Sequence, residues 1–498
     1  MDGEWALKIV FATSEAVPFA KTGGLAEVCG PLPVALSRLG HELTVVMPGY
    51  RCVRYSGQPI EPLGITFVVP IGTKVMAGRL AVSRMPDSSV RVVFVEQDQY
   101  FDRNNLYTEG GRDYPDNCER FVFFSRAVLE VIRLLDLRPE IVHCHDWQTG
   151  LIPAYLALEY HTLPRYRQIA TLFTIHNMSY QGRFWHWDMI LTGLDWKHFN
   201  WRELEFYGDL SLLKAGIVYA DALSTVSPQY ALDIQTPEYG YGMDGVLRHR
   251  RDSLFGILNG IDVKIWNPAT DRWLPARYDE NTWAEGKAIC KAELQRELGL
   301  PQLPDVPLVG KVGRMIEQKG SDLLARLIAE WAPRTNIQWA ILGTGVPELE
   351  AEFCRLAAEF PDKVAVRVEF SEALAHRIIA GADIFVMPSR FEPCGLNQMY
   401  SMRYGTIPVV RATGGLKDTV VDATPENIEA GRATGFVLEK PTLEELAEAL
   451  QRACQAFHNK ELWRKLAFAG MRQDWSWERR AGQYIELYQW IRNRRQQN

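Results

Sequence analysis

The sequence predicts an α/β protein of two doubly wound, Rossmann-like domains facing a cleft. Three observations predict it. Short continuous apolar runs alternate with helical patterns from residue 7 to about 258. A second alternation of the same kind starts at residue 308. Between them the periodicity is lost, in a stretch carrying Pro268 and Pro275 and then the Pro-rich segment 299–307. Length agrees, because 498 residues suffice for two large domains.

In order, residues 7–12 (LKIVFA) read as a buried parallel strand, followed by a Gly-rich turn and an amphipathic helix over 25–39. Further strands are expected at 43–47, 90–95, 141–144, 171–175, 222–226 and 255–258, with a helix over 117–135. A helix over 282–298 precedes the second set of strands, at 308–312, 338–342, 364–368, 384–387 and 407–410. The tail from Trp475 is helical in pattern and basic at its end. The expected division is therefore a first domain over 1–265, a linker over 266–305, a second domain over 306–474, and a C-terminal helix over 475–498.

Composition excludes several classes. Lys plus Arg number 55 against 61 Asp plus Glu, a net charge of −6, so no general attraction to nucleic acid or anionic lipid is expected. No stretch reaches about 18 apolar residues, which argues against a membrane span. The eight cysteines are scattered singly without a C-x-x-C pair, which fits reduced thiols and a cytoplasmic location.

Ligands of doubly wound folds sit at the carboxyl ends of the strands, so the residues there carry the functional reading. After the first strand, Lys21-Thr22-Gly23-Gly24-Leu25 offers a tight turn, a helix start and a point charge suited to phosphate. It is neither a G-x-G-x-x-G nor a Walker loop. His143-Cys144-His145-Asp146 places two histidines on one face of a strand, which admits a metal site but more simply a pair lining a cleft or core. His176-Asn177 and Tyr180 close a later strand with groups able to bond sugar hydroxyls. In the second half, Arg314 and Lys319 flank a Gly-bounded turn and suit a diphosphate. Gly343 and Gly345 read as a nucleotide-approach turn. Glu392, Cys394, Gly395 and Leu396 stand where a helix is expected to begin, a carboxylate beside backbone N–H donors.

Taken together, KTGGL at 21–25, HCHDWQTG at 143–150, TIHNMSYQG at 174–182, YGYGMDGVL at 239–247, ILNGID at 257–262, VGRMIEQKG at 312–320, SRFEPCGLNQMYSMRYG at 389–405 and TGGLKDTV at 413–420 resemble bacterial glycogen synthase and starch synthase, glycosyltransferase family 5. The resemblance runs in order from about residue 7 to 485. It implies the GT-B fold, with the C-terminal helix crossing back to the first domain, and transfer of glucose, with retention, from ADP-glucose to the non-reducing end of an α-1,4-glucan, glycogen or starch. It implies that Lys21, Gly23, Gly24 and Asn177 contact the donor, together with Gly343 and Gly345, and that Arg314 and Lys319 stabilise the leaving diphosphate. It implies that Glu392 and the backbone of Cys394, Gly395 and Leu396 hold the donor glucose and its phosphate. His176 would lie at the anomeric centre with its carbonyl near the developing cation, and Asp146 would hold glucose hydroxyls. Asp244 and Tyr180 would face the acceptor. No cofactor or metal is expected, since two cations can replace Mg²⁺.

The sequence departs from that pattern at Gln148, where many members carry His, and at Phe370, where Tyr is common. Tyr400 replaces the second glutamate of related sugar transferases and favours the glycogen-synthase branch. The competing readings are a GT-B transferase with another donor or acceptor, such as one making maltose 1-phosphate, a metal hydrolase built on His143 and His145, and a silent glucan-binding protein.

Overall fold

The computed structural model describes residues 6–497. The chain forms two compact units. One comprises the chain up to Gly260 together with the C-terminal helix Trp477–Gln497, and the other comprises Ile261–Ser476.

The strands of the first unit are β1 (Lys8–Ala12), β2 (Glu42–Pro48), β3 (Glu61–Ile71), β4 (Lys74–Arg84), β5 (Arg91–Glu96), β6 (Thr108–Glu109), β7 (Arg112–Asp113), β8 (Ile141–His145), β9 (Ala170–Ile175), β10 (Arg183–Phe184), β11 (Glu205–Phe206), β12 (Asp209–Ser211), β13 (Ala222–Thr225) and β14 (Leu254–Gly256). Nine of them form one sheet in the order β14-β13-β9-β8-β1-β2-β5-β4-β3. Its seven strands from β14 to β5 pair in parallel. The central ones read as unbroken apolar runs because both faces are covered. The chain winds outward from β1 through β2 and β5, then returns at β8 to the other flank of β1. The loops after β1 and β8 therefore diverge at the point where the winding reverses.

The second unit holds β15 (Leu308–Val312), β16 (Gln338–Leu342), β17 (Val364–Arg367), β18 (Ile384–Met387), β19 (Ile407–Arg411) and β20 (Phe436–Leu438). They form a wholly parallel sheet in the order β17-β16-β15-β18-β19-β20, which is the Rossmann order. Helix Ser321–Trp331 and helix Leu443–His458 pack on it, and their Leu324, Ile328, Leu446 and Leu450 belong to one apolar core with the fully buried Trp339. The winding reverses between β15 and β18, so the loops after those two strands are brought side by side.

Two expectations are corrected, and one element is added. The expected helix over 25–39 is two helices, Gly24–Cys29 and Pro31–Arg38. Pro31 has no N–H to continue the first, and a Cβ on Gly30 would stand 2.4 Å from the Val17 side chain. The long antiparallel hairpin of β3 and β4 escaped notice, because its half-exposed strands alternate instead of forming a continuous apolar run.

Residues 266–305 are not a linker. Trp266 is sandwiched between His376 and Tyr400, with ring centroids 3.7 and 3.8 Å away. Buried Asp271 accepts hydrogen bonds of 2.6 Å from His376 Nδ1 and from Tyr404 Oη. Helix Trp283–Leu298 is pinned by Lys287, which donates to the Ala382 carbonyl and the Thr406 hydroxyl, and by Lys291, paired with Asp383 at 2.7 Å. These are aromatic and ionic contacts between distant segments, which no local period announces.

The C-terminal helix begins at Trp477 and packs within the first unit. Its Tyr488 hydroxyl bonds His143 Nδ1 at 2.8 Å, and Arg38–Glu478, Arg492–Glu140 and Arg495–Asp221 pairs flank it.

Asp271→Ala is expected to destabilise the chain by about 3–5 kcal/mol, because it strands two buried partners. Chemical denaturation followed by tryptophan fluorescence measures this, and a loss under about 1 kcal/mol would contradict the packing described.

Candidate active site

The first unit gathers its polar residues where β1, β8 and β9 end. Asp146, the residue after β8, has φ 56° and ψ −179°, a combination favoured by glycine. It is held there by its N–H to the Thr174 carbonyl at 3.0 Å, by Thr149, whose N–H and hydroxyl both donate to its carbonyl, and by its carboxylate, which accepts the His176 N–H at 2.7 Å. Burial raises the Asp146 acid to about 7, against the pull of the backbone N–H groups of His176 and Asn177. The carboxylate expected to hold glucose hydroxyls is thus engaged in tying the end of β8 to the end of β9.

His176 is buried, and burial brings its imidazole down to about 3. Its Nε2 lies 3.0 Å from His145 Nδ1, so one neutral ring donates to the other. His145 is likewise held neutral by burial, reinforced by the neighbouring histidines. His143 does not pair with His145 as a ligand set. Its ring nitrogens bond Thr174 Oγ1 at 2.6 Å and Tyr488 Oη at 2.8 Å, a core role. The set able to hold a metal is different: the ligand atoms of Cys29, His145 and His176 lie within 4.8 Å of one another, and His145 Nε2 has no partner among the described residues. One thiol and two imidazoles suit a zinc-like ion, once the thiol, whose pKa burial raises, gives up its proton.

The turn after β1 is organised by a residue that sequence reading passed over. Glu15 is buried, and its carboxylate accepts from the N–H groups of Thr22 (2.5 Å) and Gly23 (3.3 Å), the Thr22 hydroxyl (2.6 Å) and the Tyr107 hydroxyl (2.8 Å). A carboxylate six residues before Lys21 with no basic neighbour was the available signal. Gly23 and Gly24 face open space, where a Cβ would meet nothing within 4 Å. Lys21 is half exposed, with its ammonium on Glu27.

Asn177 closes a local turn by accepting from the N–H and hydroxyl of Ser179. Tyr180 is exposed beside it. Asp244 starts helix Asp244–His249 and pairs with Arg248 at 2.6 Å.

In the second unit the winding reversal brings Lys319 to Glu392. The ammonium lies 2.7 and 2.6 Å from the two carboxylate oxygens, and Ser389 Oγ adds a 3.1 Å bond to Oε2. Glu392 is buried and Lys319 partly so. Two of the three ammonium protons serve Glu392, which leaves one for a ligand. Arg314, on the same loop, is exposed.

The glycines serve loop packing. A Cβ on Gly343 would stand 1.9 Å from the Gly313 carbonyl oxygen, and one on Gly345 would stand 2.0 Å from that of Met315. Gly414 and Gly415 press equally closely on the carbonyls of Glu392 and Cys394. Gly395, at φ 72°, turns the chain so that Leu396 caps helix Asn397–Arg403, and buried Cys394 packs beneath.

Lys311 was also passed over, though a lone lysine in the apolar strand LVGKV was a signal. It is buried, and among the described residues its Nζ reaches only the carbonyls of Gly313 and Arg314, both at 3.4 Å. Burial, aided by the charge of Lys319, lowers its ammonium to about 7.

Two Rossmann-like units, each with its polar residues at the carboxyl ends of its strands, are the components of the GT-B fold, and comparison with known proteins places the chain among the GT-B glycosyltransferases. The family model for the starch synthase catalytic domain matches residues 8–249, and that for glycosyl transferases group 1 matches residues 299–467. A glycogen synthase of Rhodopirellula baltica is 47% identical over 493 residues, covering 97% of each chain. One from Anaeromyxobacter sp. strain Fw109-5 is 49% identical over 97% of this chain and 99% of its own. The solved catalytic domain of starch synthase IV from Arabidopsis thaliana, bound to ADP and acarbose, superposes with a TM-score of 0.90 at 33% identity, covering 98% of this chain and all of that one. Sucrose-phosphate synthase from Thermosynechococcus elongatus, at 18% identity and a TM-score of 0.58, shares the fold. The chain belongs to the glycogen and starch synthase family.

Between pH 7 and the ordinary lysine value near 10.4, the unfolded chain holds a proton at Lys311 that the folded chain has released, so this residue's contribution to stability rises with pH. At and below pH 7 its buried charge is a cost. Lys311→Met is expected to be more stable than the parent at pH 7, with the gap narrowing by about 2 kcal/mol by pH 9. Urea unfolding at both pH values measures this, and a pH-independent gap would mean that the ammonium titrates normally.

Proposed function

We propose that this member of the glycogen synthase family, a glucosyltransferase that lengthens a glycogen- or starch-type glucan, takes ADP-glucose as its donor and adds glucose to the non-reducing end of an α-1,4-linked chain with retention. The observation that carries the reading is the Lys319–Glu392 pair at the winding reversal of the second unit. It sets a cation with a spare proton beside a fixed carboxylate. The cation suits a leaving diphosphate and the carboxylate suits sugar hydroxyls. The ADP held by the related starch synthase IV supports the choice of nucleotide.

As the glycosidic phosphate bond breaks, negative charge grows on the nucleotide. Lys319 and Arg314 offset it, with the backbone of Cys394, Gly395 and Leu396 donating to the phosphate. Fixed charges do this without the reorganisation that water would need. These two cations carry the role a metal would fill, so the reaction needs none. Gly343 and Gly345 let the loops after β15 and β16 close tightly, which sets the position of Arg314. In the first unit, Asp146 acts by positioning. It clamps the His176 backbone, whose carbonyl faces the cationic carbon, while Asn177 and the Glu15-braced turn of Lys21, Gly23 and Gly24 meet the donor. Tyr180 and Asp244 belong to the acceptor side. Burial makes His145 and His176 too weakly basic to hold a proton, so the departing phosphate oxygen takes the acceptor proton on the same face of the sugar.

Incubation with ADP-glucose or UDP-glucose and maltotriose, followed by chain-length and anomeric analysis, tests this. α-Linked extension from ADP-glucose is expected, and faster extension from UDP-glucose would overturn the donor assignment. Glu392→Gln is expected to lower kcat about 10²–10³-fold, some 3–4 kcal/mol of transition-state stabilisation. Near-parental turnover would remove Glu392 from the site. EDTA is expected to leave the rate unchanged, and a complete loss restored by Mg²⁺ would replace the two-cation account.

A further inference from the structure

Residues 183–211 leave the parallel sheet of the first unit as an excursion with its own three-stranded antiparallel sheet, ordered β10-β12-β11. Among the described residues, four of the five exposed tryptophans lie on it: Trp185 (63% exposed), Trp187 (50%), Trp196 (42%) and Trp201 (70%). They are not loosely scattered. Trp185 packs on Trp187 at 6.4 Å and 63°, Trp187 on Trp196 at 5.5 Å and 73°, and Trp196 on Phe199 at 5.5 Å and 70°. Edge-to-face packing of this kind props each indole against its neighbour while much of its surface stays in water. A contiguous exposed aromatic surface marks an interaction site.

Charge narrows the choice of partner. Arg183, Lys197 and Arg202 stand against Asp188, Asp195, Glu203 and Glu205 along residues 183–207, a net charge of −1. Lys197 and Arg183 are moreover paired, with Asp195 and Asp209. Such a surface has no pull on a polyanion or an anionic headgroup. It suits an uncharged ligand with an apolar face and a polar rim, which describes a pyranose ring: its C–H face stacks on indole while its hydroxyls remain hydrated.

The surface also continues to the acceptor-side loop. The excursion follows Tyr180 and Gln181 directly, and Gln181 Nε2 donates to the Tyr241 carbonyl at 3.1 Å. Exposed Tyr207 lies against Gly242, where a Cβ would stand 3.0 Å from its ring, two residues before Asp244.

We propose that this excursion is a holding site for the glucan polymer. Glucose rings of a chain longer than the acceptor position needs stack on Trp185, Trp187 and Trp196, keeping the enzyme on its polymer between transfers. The inference rests on the glucan-elongating reading above. A second attachment raises the effective concentration of chain ends, so it acts on long acceptors only.

The test uses the full-length chain and the variants Trp185→Ala, Trp187→Ala, their double, and Trp185→Phe as the conservative control. Affinity electrophoresis in glycogen-containing gels reports binding without turnover, and kinetics compare glycogen with maltotriose. The double variant is expected to lose most of its retardation and to show a KM for glycogen raised about tenfold. Its kcat and KM for maltotriose stay within twofold, which also shows that it folds. Trp185→Phe keeps most of the binding. Retardation of the parent is expected to be equal at 50 and 500 mM NaCl.

Unchanged glycogen retardation and KM in the double variant overturn the proposal. So does a parent dimer that the variants dissolve with glycogen binding intact, which would make the surface a contact between copies. So does cosedimentation of the parent with uncharged phosphatidylcholine vesicles that the double variant abolishes while its glycogen binding is unchanged. Failure of the parent to extend maltotriose at all would instead strike the glucosyltransferase reading, and the gel assay would still report binding.

Discussion

The first unit depends on one backbone constraint, the conformation of Asp146. Its φ of 56° with ψ near 180° is a geometry that costs a residue with a Cβ about 1–3 kcal/mol. Hydrogen bonds from Thr149, to Thr174 and from His176 hold it there. The consequence is structural before it is chemical. A carboxylate at the end of one strand grips the backbone at the end of the next, so His176 has a fixed position and its ring a fixed partner in His145. Glu15 does the same for the turn after β1, using its carboxylate to satisfy N–H groups that would otherwise seek an anion. In both cases an acid that looks ready for a substrate is committed to holding the site in shape.

The second unit reaches a comparable rigidity by close approach of backbones. Gly343, Gly345, Gly414 and Gly415 each stand where a single methyl group would overlap a carbonyl of the neighbouring loop. Loops packed this tightly have little freedom, and they carry Arg314, Glu392 and the turn at Gly395. The Lys319–Glu392 pair is then a consequence of strand order, because only the β15/β18 reversal lays those two loops together. Lys311 is buried beside the loop after β15, with its Nζ on the carbonyls of Gly313 and Arg314, and burial brings its ammonium down to about 7.

Much of the site could be read along the chain, since turn glycines, strand-end histidines and paired cations are local patterns. Their partners could not. The Lys21 ammonium rests on Glu27 and the Gly23 N–H on Glu15, partners only six and eight residues away that no periodic pattern singles out. His143 and His145 share a strand face, yet the former turns to Thr174 and Tyr488 while the latter meets His176. The segment 266–305 looked like a linker for the same reason: Trp266, Asp271 and Lys287 find their partners about a hundred residues away.

By itself the sequence determined the strands that are buried on both faces, the helices between them, and the glycine turns that follow the strands, because periodicity and backbone conformation are set by neighbours along the chain. It also determined that the apolar content divides into two alternating halves. Tertiary structure alone decided strand order, the capture of 266–305 by the second unit, and which acids are taken up in holding backbone. Those outcomes turn on burial and hydrogen bonding between residues far apart in sequence, and each is fixed only when a competing partner, including water, has been excluded.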